Sequence, residues 1–261
     1  MENLLTTQRP PSDYQSNPSS PSTNQVEQSA TDAQPGAFPP VYEWIPAIQG
    51  WFLAFYAKLI YRTSPLTFEG WEHVEAAIAV GRPIIFASWH GQPHLFYSTY
   101  ISHFKPEDLF LVMVGDARKG PLGYFAKYVK ATVFPVDMGD TSMAGARKLL
   151  DLIGTLVPGK LSYIAPDGPD GPARVAKPGV AFIAKKAEAL IVPVANATRY
   201  ALHIPRWDRY WLPLPFDRIY TVVRPAIETS RNTPRAELLA TLTEELNLAN
   251  ARVTAMTKQS S

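Results

Sequence analysis

Two polar loops that follow apolar runs hold residues able to do chemistry. Asp167 follows a run that ends at Ala165, in a loop with two Asp-Gly-Pro units, and His90 follows a run that ends at Trp89. Apolar runs of this length predict buried strands, and open α/β sheets place their ligand sites at the carboxyl ends of strands. Histidine titrates near neutral pH and is the usual general base. His90 and Asp167 are therefore predicted to belong to one catalytic site.

The Asp-Gly-Pro loop also has the features of an anion site. Gly168 permits a tight turn, and Pro169 stiffens it. Arg174 and Lys177 follow within a few residues, and a helix predicted to begin at Pro178 adds the partial positive charge of its amides. The pattern predicts that the two cations bind the anionic group of an acceptor. The alternative is a structural loop whose aspartate caps its own turn.

The loop after the first run has two further features. Gly91 would let a substrate approach His90 closely. His94 lies four residues after His90, and on a helix this spacing would place both side chains on one face. That raises the possibility of a metal site, but the chain has no HExxH motif and no third ligand nearby in sequence. We therefore predict no metal, with His94 as a histidine of the core or of a groove wall.

Composition limits the classes of function. The chain has 261 residues and 46% hydrophobic content, enough for a full core. The absence of cysteine excludes disulfides, thiolate chemistry and cysteine-based zinc sites. The net charge is +2, and an acidic excess in residues 1–40 leaves a mildly basic remainder, which favours phospholipid surfaces or phosphorylated ligands. No Lys/Arg-rich run or nucleic-acid motif is present, so no nucleic-acid partner is predicted.

The N-terminal part of the chain divides into two regions. Residues 1–40 are rich in Pro, Ser, Thr, Gln and Asn, which predicts a disordered leader that is not a signal peptide. Residues 41–62 are rich in aromatic side chains but contain polar interruptions, which predicts a helix lying in a membrane interface. A helix packed on the core and a true membrane span remain alternatives. Lys58 and Arg62 on its C-terminal flank favour peripheral attachment at the cytoplasmic face.

Residues 63–258 alternate short apolar runs with helical patterns. The pattern predicts one α/β domain with a central, mostly parallel or mixed sheet flanked by helices. The predicted strands cover residues 83–89, 109–114, 132–136, 161–165, 190–194 and 219–224. The predicted helices cover roughly residues 91–103, 119–130, 142–157, 178–188 and 234–256.

Five stretches in this order resemble the lysophospholipid acyltransferase-like superfamily, and within it the bacterial branch labelled DUF374. They are Ile-Phe-Ala-Ser-Trp-His-Gly at 85–91, Ile-Ala-Pro-Asp-Gly-Pro-Asp-Gly-Pro at 164–172, Lys-Pro-Gly-Val at 177–180, Ile-Val-Pro-Val at 191–194 and Trp-Asp-Arg-Tyr-Trp-Leu-Pro-Leu-Pro-Phe at 207–216. The resemblance covers roughly residues 55–250.

The resemblance implies transfer of a fatty acyl group from a thioester donor to a hydroxyl of a lysophospholipid or glycolipid acceptor. It implies no built-in cofactor, because acyl-CoA or acyl-carrier protein would be a co-substrate. His90 matches the histidine that would deprotonate the acceptor hydroxyl. Asp167 and Gly168 match the acidic residue and glycine of the Glu-Gly-Thr motif, which would organise the acceptor's phosphate end. Pro193 matches the Val-Pro-Val motif near the donor groove.

Two departures from the superfamily pattern concern carboxylates and charge. The superfamily places an aspartate five residues after the histidine, and here that position is Leu95. The carboxylate could come instead from Asp116, which follows the predicted strand 109–114, or from Asp167. We also count Asp116 and Arg118 among the predicted substrate-binding residues. The acceptor-binding segment of the superfamily carries an arginine, where this chain offers Asp137.

Two other functions remain open at this stage. The first is a non-catalytic lipid-binding or lipid-transfer protein on the same fold. The second is a metal-dependent hydrolase that uses His90 and His94. A carboxylate within reach of His90 would favour the acyltransferase, and a closed tunnel without such a partner would favour the lipid-binding protein.

Overall fold

The computed structural model describes residues 41–114, 120–136, 143–168, 170–205 and 207–259. The helices of these ranges are α1 (Val41–Thr63), α2 (Glu72–Ala79), α3 (Pro93–Ile101), α4 (Pro121–Val129), α5 (Met143–Thr155), α6 (Pro178–Ala187) and α7 (Arg235–Gln259). The strands are β1 (Leu66–Glu69), β2 (Ile84–Ala87), β3 (Leu109–Val114), β4 (Thr132–Val136), β5 (Leu161–Ile164), β6 (Leu190–Thr198), β7 (Ala201–His203), β8 (Trp211–Pro213) and β9 (Ile219–Val223). The predicted leader, residues 1–40, lies outside the described residues.

The described strands form a seven-stranded sheet in the order β1-β9-β6-β2-β5-β3-β4 and a separate hairpin of β7 and β8. Within the large sheet, β6 and β9 pair antiparallel and the other neighbours pair parallel. The fold is thus α/β with a mostly parallel, mixed sheet, as the apolar runs predict. Buried strands with helices on both faces need no polar alternation, which is why β2, β5 and β6 read as continuous apolar runs.

The chain leaves β2 and β5 in opposite directions across the sheet. It passes from β2 through α3 to β3 on one side, and from β5 through α6 to β6 on the other. Alternate β2 side chains accordingly enter two cores: Phe86 packs with α3, and Ile85 packs with α6 and α7. A reversal of this kind opens a crevice at the carboxyl ends of the two strands, which is where open α/β sheets bind ligands.

Helix α1 packs against α4 through small residues and exposes several of its large apolar ones. Ala54 and Ala57 are buried, and a Cβ on Gly50 would lie 2.4 Å from the Cβ of Tyr124 in α4. The close contact with α4 therefore requires glycine at this position. Its outer face carries large apolar side chains that are about half exposed: Trp44, Ile45, Ile48, Trp51, Phe52 and Phe55. Among the described residues, no helix is long and apolar enough to cross a membrane.

Sequence patterns predict the main strands and helices to within a few residues. They miss β1, α2 and the β7–β8 hairpin, which are short. They also end the sixth strand too early, because β6 continues from Leu190 to Thr198. Asn196 interrupts the apolar run there, yet it is fully buried and its side-chain oxygen accepts hydrogen bonds from Thr99 and Thr221. Polar partners inside the fold thus allow a strand to continue through a residue that looks like a loop signal.

Candidate active site

His90 and Asp167 lie side by side because of the register of two neighbouring parallel strands. Ala87 of β2 pairs with Ile164 of β5. His90 and Asp167 each follow the last residue of their strand by three positions, so the register brings them level at the same edge of the sheet. Two residues from distant parts of the chain therefore meet at the crevice edge of the sheet.

The Asp167 carboxylate makes three hydrogen bonds and orients the His90 ring. Oδ1 lies 2.7 Å from Nδ1 of His90 and accepts the backbone N–H of His90 at 3.1 Å. Oδ2 accepts the backbone N–H of Arg174 at 3.3 Å. A carboxylate that accepts from these groups fixes the proton on Nδ1, which leaves the lone pair on Nε2. The side chain of Asp167 is 1% exposed, whereas that of His90 is 28% exposed. The dyad thus has a buried acid and an accessible base.

Trp207 forms a wall of the site. Its ring centroid lies 5.2 Å from that of His90 at an interplanar angle of 58°. A Cβ on Gly171 would approach the Trp207 ring to 2.8 Å. Gly171 also has a φ of 69°, which favours glycine. The second Asp-Gly-Pro unit therefore lets the indole pack against the loop and beside the His90 imidazole.

A buried polar pair lies near the dyad. The hydroxyl groups of Ser88 and Tyr163 are 2.8 Å apart, and both side chains are buried. Burial raises the pKa of the Tyr163 phenol, and the charge of Asp167 adds to the rise. The phenol is therefore neutral at physiological pH and serves as a hydrogen-bonding group.

The structure corrects the role predicted for Gly91. Its φ is 96°, and a Cβ there would lie 2.6 Å from the carbonyl oxygen of Asp208. The backbone carbonyl of Asp208 thus occupies the position of a Cβ at Gly91, so glycine is required there for contact with the 207–210 segment. The carbonyl of Gly91 accepts a hydrogen bond from the backbone N–H of Trp211 at 2.8 Å. Gly91 therefore holds the Trp207 segment over the site.

The structure also corrects the expectation that His90 and His94 share a helix face. α3 begins at Pro93, so His90 precedes the helix and only His94 belongs to it. His94 is 3% exposed, and its Nδ1 hydrogen-bonds the hydroxyl of Tyr210. Burial lowers its pKa to about 4, so the ring is neutral at physiological pH. Over the described ranges, no three His, Cys, Asp or Glu side chains are grouped so that they could hold a metal ion.

The two predicted cations lie on different surfaces. A Cβ on Gly168 would lie 3.0 Å from the Lys177 ammonium, so this side chain lies over the Asp167–Gly168 turn. The backbone N–H of Lys177 donates to the carbonyl of Pro166 at 2.8 Å, which closes the loop. The Arg174 side chain instead lines a groove against α7. Only Lys177 thus lies over the turn beside the dyad.

The remaining residues named in the sequence analysis lie in different parts of the chain. Pro193 lies in β6 opposite Ala87, so it belongs to the strand next to the one that carries His90. Leu95 is fully buried with Ile60 and Ile219, in apolar surroundings that suit leucine and would penalise an aspartate. Three further predicted residues lie outside the described residues: Asp116, Arg118 and Pro169.

Sequence reasoning did not single out Trp207 as a site residue. It belongs to one of the five stretches quoted above, but it lies 117 positions after His90, and the sequence patterns predict no strand directly before it. The signal that could have identified it is the concentration of polar and aromatic residues in Trp-Asp-Arg-Tyr-Trp, which a plain surface loop does not need. The site therefore includes a segment whose contribution only the tertiary structure reveals.

Comparisons with known proteins give the following similarities. No family model matches the sequence. The chain is similar to the "Uncharacterized protein RP090" of Rickettsia prowazekii (strain Madrid E), with 25% identity over 173 residues, which is 66% of this chain and 76% of that protein. The fold aligns with the crystal structure of the 1-acyl-sn-glycerophosphate (LPA) acyltransferase, PlsC, from Thermotoga maritima, with a TM-score of 0.49 and 16% identity. The alignment covers 82% of this chain and 98% of that structure.

Proposed function

We propose that this protein is a lipid O-acyltransferase of the lysophospholipid acyltransferase-like superfamily, DUF374 branch. The observation that carries the proposal is the His90–Asp167 dyad at the carboxyl edge of the central strands. A histidine whose Nδ1–H is held by a buried carboxylate presents Nε2 as a general base. The carboxylate, which the superfamily pattern places five residues after the histidine, here comes from the neighbouring strand's loop.

In the proposed reaction, Nε2 of His90 takes the proton from the acceptor hydroxyl. The resulting oxygen attacks the thioester carbonyl, and the C–O bond forms as the C–S bond breaks. The departing thiolate receives the proton from Nε2, so protons and electrons balance and the histidine returns to its starting state. The Asp167 carboxylate stabilises the imidazolium that forms between the two transfers. Acyl-CoA or acyl-carrier protein supplies the thioester, and no resident cofactor takes part.

Lys177 and Gly168 supply the proposed acceptor site. The Lys177 ammonium lies over the turn that follows Asp167, within reach of a group bound at the dyad. An ammonium on a flexible stem suits a phosphate or another anionic lipid head group. This position supports a lysophospholipid or an anionic glycolipid as acceptor.

The outer face of α1 supports attachment to a membrane surface. Surface helices of globular proteins bury their apolar side and expose their polar side. α1 departs from this pattern, because its outer face is apolar as well: Ala54 and Ala57 pack against the protein, and Trp51, Phe52 and Phe55 are about half exposed. Aromatic side chains of this kind bind at the lipid head-group level. We propose that α1 holds the protein peripherally where its lipid substrates reside.

The β7–β8 hairpin continues this apolar face beside α1. The Tyr56 hydroxyl donates to the carbonyl of Pro213, and the backbone N–H of Phe216 contacts Thr63 at the end of α1. Phe216 itself is 78% exposed, which is unusual for so large an apolar side chain. Residues 207–210 lie between the two strands of this hairpin in sequence, which supports an orientation with the dyad near the membrane.

The decisive test is acyl transfer from a labelled acyl-CoA or acyl-carrier protein to a total lipid extract. Wild type is expected to form a labelled lipid, and His90→Ala is expected to lose about 10²–10⁴-fold in turnover. Circular dichroism of the variant controls for folding. If wild type transfers no acyl group but retains a co-purified lipid, the lipid-binding function takes the place of the enzyme.

A further inference from the structure

The groove between α6 and α7 has no role in the reaction described above. α6 packs against α7, and two cavities lie beside this contact. One, of about 430 Å³, is lined by Phe182, Lys185, Lys186, Arg231 and Arg235. The other, of about 480 Å³, is lined by residues of the loop before α6 and of α7, which include Arg174, Val175, Leu239, Thr243 and Asn247.

The first cavity is a cluster of cations with little compensating charge. Arg231 pairs with Glu188 at 2.9 Å. Among the described residues, no carboxylate pairs with Lys185, Lys186 or Arg235. Four converging cations and one carboxylate leave a strongly positive cavity, which favours a ligand with more than one negative charge.

The second cavity lies beside the dyad, because two of its lining residues contact Asp167 or the residue before His90. The backbone N–H of Arg174 donates to Oδ2 of Asp167. The side-chain oxygen of Asn247 accepts the indole N–H of Trp89, the residue before His90, at 3.2 Å. Both residues line the cavity. One wall thus contacts the catalytic acid directly, and the other contacts the immediate neighbour of the catalytic base.

One face of α7 connects the two cavities. Arg235, Leu239, Thr243 and Asn247 are spaced by four residues, so they lie along one side of the helix. Leu238, Leu242 and Leu246 face the core instead. Arg235 and Asn247 are separated by about 18 Å along the helix axis. The groove therefore runs about 18 Å from a cationic end to the residues beside the dyad. Apolar and hydroxyl side chains line it, together with the carboxylate of Glu244.

These dimensions match one class of thioester donor. Phosphopantetheine has about thirteen bonds between sulfur and phosphorus. An extended peptide gains ~3.5 Å in length for every three bonds, so the phosphopantetheine arm extends to about 15 Å. Its ends are a thioester, which must reach His90, and a phosphate, which needs cations. The phosphates that follow in coenzyme A, or the acidic surface of a carrier protein, lengthen the anionic end further.

We propose that the α6–α7 groove binds the phosphopantetheine arm of the acyl donor, with its thioester at the His90–Asp167 dyad and its phosphate end at Lys185, Lys186, Arg231 and Arg235. This assignment rests on the proposed acyl transfer, since it names the binding site of the donor in that reaction. It also separates the two substrates: Lys177 lies over the acceptor side, and Arg174 lies on the donor side.

The test measures binding without turnover. Coenzyme A, 3′-dephospho-coenzyme A, pantetheine and a holo-acyl-carrier protein are titrated calorimetrically into the full chain. The groove variant is Lys185→Glu/Arg235→Glu. The matched control is Arg147→Glu/Lys148→Glu, which makes the same change in net charge at exposed positions of α5.

The groove variant is expected to bind coenzyme A about 100-fold more weakly, since each charge-assisted contact contributes roughly 10-fold. The control variant is expected to bind like wild type, and pantetheine is expected to bind both equally. Loss of carrier-protein binding with coenzyme A unchanged would identify the carrier protein as the source of the arm. The groove assignment is wrong if wild type binds neither coenzyme A nor the holo-acyl-carrier protein. It is also wrong if both ligands bind the groove variant as tightly as they bind wild type.

The acyl-transfer assay keeps the two proposals apart. Transfer by wild type with an unchanged donor KM in the groove variant would reject the groove and leave the enzyme intact. Charge-dependent coenzyme A binding without any acyl transfer would reject the enzyme and leave the groove as a coenzyme A site. A bulky side chain at mid-groove, Thr243→Trp, is expected to weaken coenzyme A and pantetheine alike, because it blocks the arm and leaves the cations in place.

Discussion

His90 Nδ1 lies 2.7 Å from Asp167 Oδ1, although 77 positions separate the two residues in the chain. The same separation of 77 relates every paired residue of β2 and β5. The dyad thus continues the strand register beyond the last paired residues. Its geometry is as well defined as the central sheet, because the three hydrogen bonds of the Asp167 carboxylate fix the loop on that register.

Asp167→Asn tests the carboxylate directly. The amide removes the negative charge that stabilises an imidazolium and permits the wrong tautomer of His90, so we expect acyl transfer to fall by up to ~10⁴-fold. The measurement is single-turnover transfer from a labelled thioester. Asp170→Asn, in the exposed part of the same loop, is the control and is expected to retain activity. Equal activity of the two variants would remove Asp167 from the catalytic machinery.

Leu95→Asp tests whether the motif position could serve instead. Leu95 is fully buried among Ile60 and Ile219, so an aspartate there is expected to lower the free energy of unfolding by several kcal/mol or prevent folding. In the Asp167→Asn background it is expected to give no rescue of activity. Urea denaturation measures the first effect and acyl transfer the second. Rescue by Leu95→Asp would mean that the carboxylate of the superfamily pattern can act from this position.

Lys177→Ala tests the acceptor site. Loss of one charge-assisted contact costs about 1.5–3 kcal/mol, which corresponds to a rise in the acceptor KM of about 10- to 150-fold. The donor KM is expected to change little, and Arg174→Ala is expected to show the reverse pattern. Lys130→Ala, a surface lysine on another part of the molecule, is the control. An acceptor KM that stays at the wild-type value would exclude Lys177 from the acceptor site.

The outer face of α1 is tested by Phe52→Ser/Phe55→Ser. Each ring is about half exposed, so burial of the exposed part in a lipid interface contributes roughly 1 kcal/mol or more per ring. Co-sedimentation with anionic lipid vesicles is expected to weaken about 10-fold or more for the pair. Leu150→Ser, an exposed position on α5, should leave vesicle binding unchanged. Carbonate is expected to extract the full-length protein from membranes, and resistance to it would contradict peripheral attachment.

Burial of His94 makes the stability of the folded protein fall as the pH is lowered. Its pKa is about 4 in the folded protein against an ordinary value of 6.5, because the ring is buried. The stability that the neutral ring supports is fully present above pH 6.5 and is lost as the pH falls toward 4, since the unfolded chain binds the proton more tightly. Between pH 7 and pH 4.5 this loss amounts to about 2–3 kcal/mol.

His94→Gln removes this loss. Urea denaturation at pH 7 and pH 4.5 is expected to show wild type losing about 2–3 kcal/mol more than the variant. The exposed His203→Gln variant should follow wild type at both pH values. Acyl transfer by His94→Gln is expected to remain, because His94 lies in the core. A loss of activity as large as that of His90→Ala would contradict a purely structural role of His94.

The sequence by itself determined the α/β class, most helix and strand positions, and the two residues of the dyad. Periodicity and apolar runs are local, and a residue that follows a strand must lie at the edge of the sheet. Strand order is not local. That β5 rather than β3 lies next to β2 follows from packing across the whole sheet, and this neighbour relationship decided that Asp167 is the partner of His90.

Tertiary structure likewise decided the positions that side-chain type could not indicate. Trp207 reaches His90 only because Gly91 and Gly171 leave no Cβ in the way, and His94 is neutral only because α3 is buried. Arg174 and Lys177 are three residues apart, yet Arg174 lines the groove against α7 and Lys177 lies over the Asp167–Gly168 turn. The residue type gives the chemistry of a side chain. Its direction depends on backbone turns and on packing that many distant residues determine together.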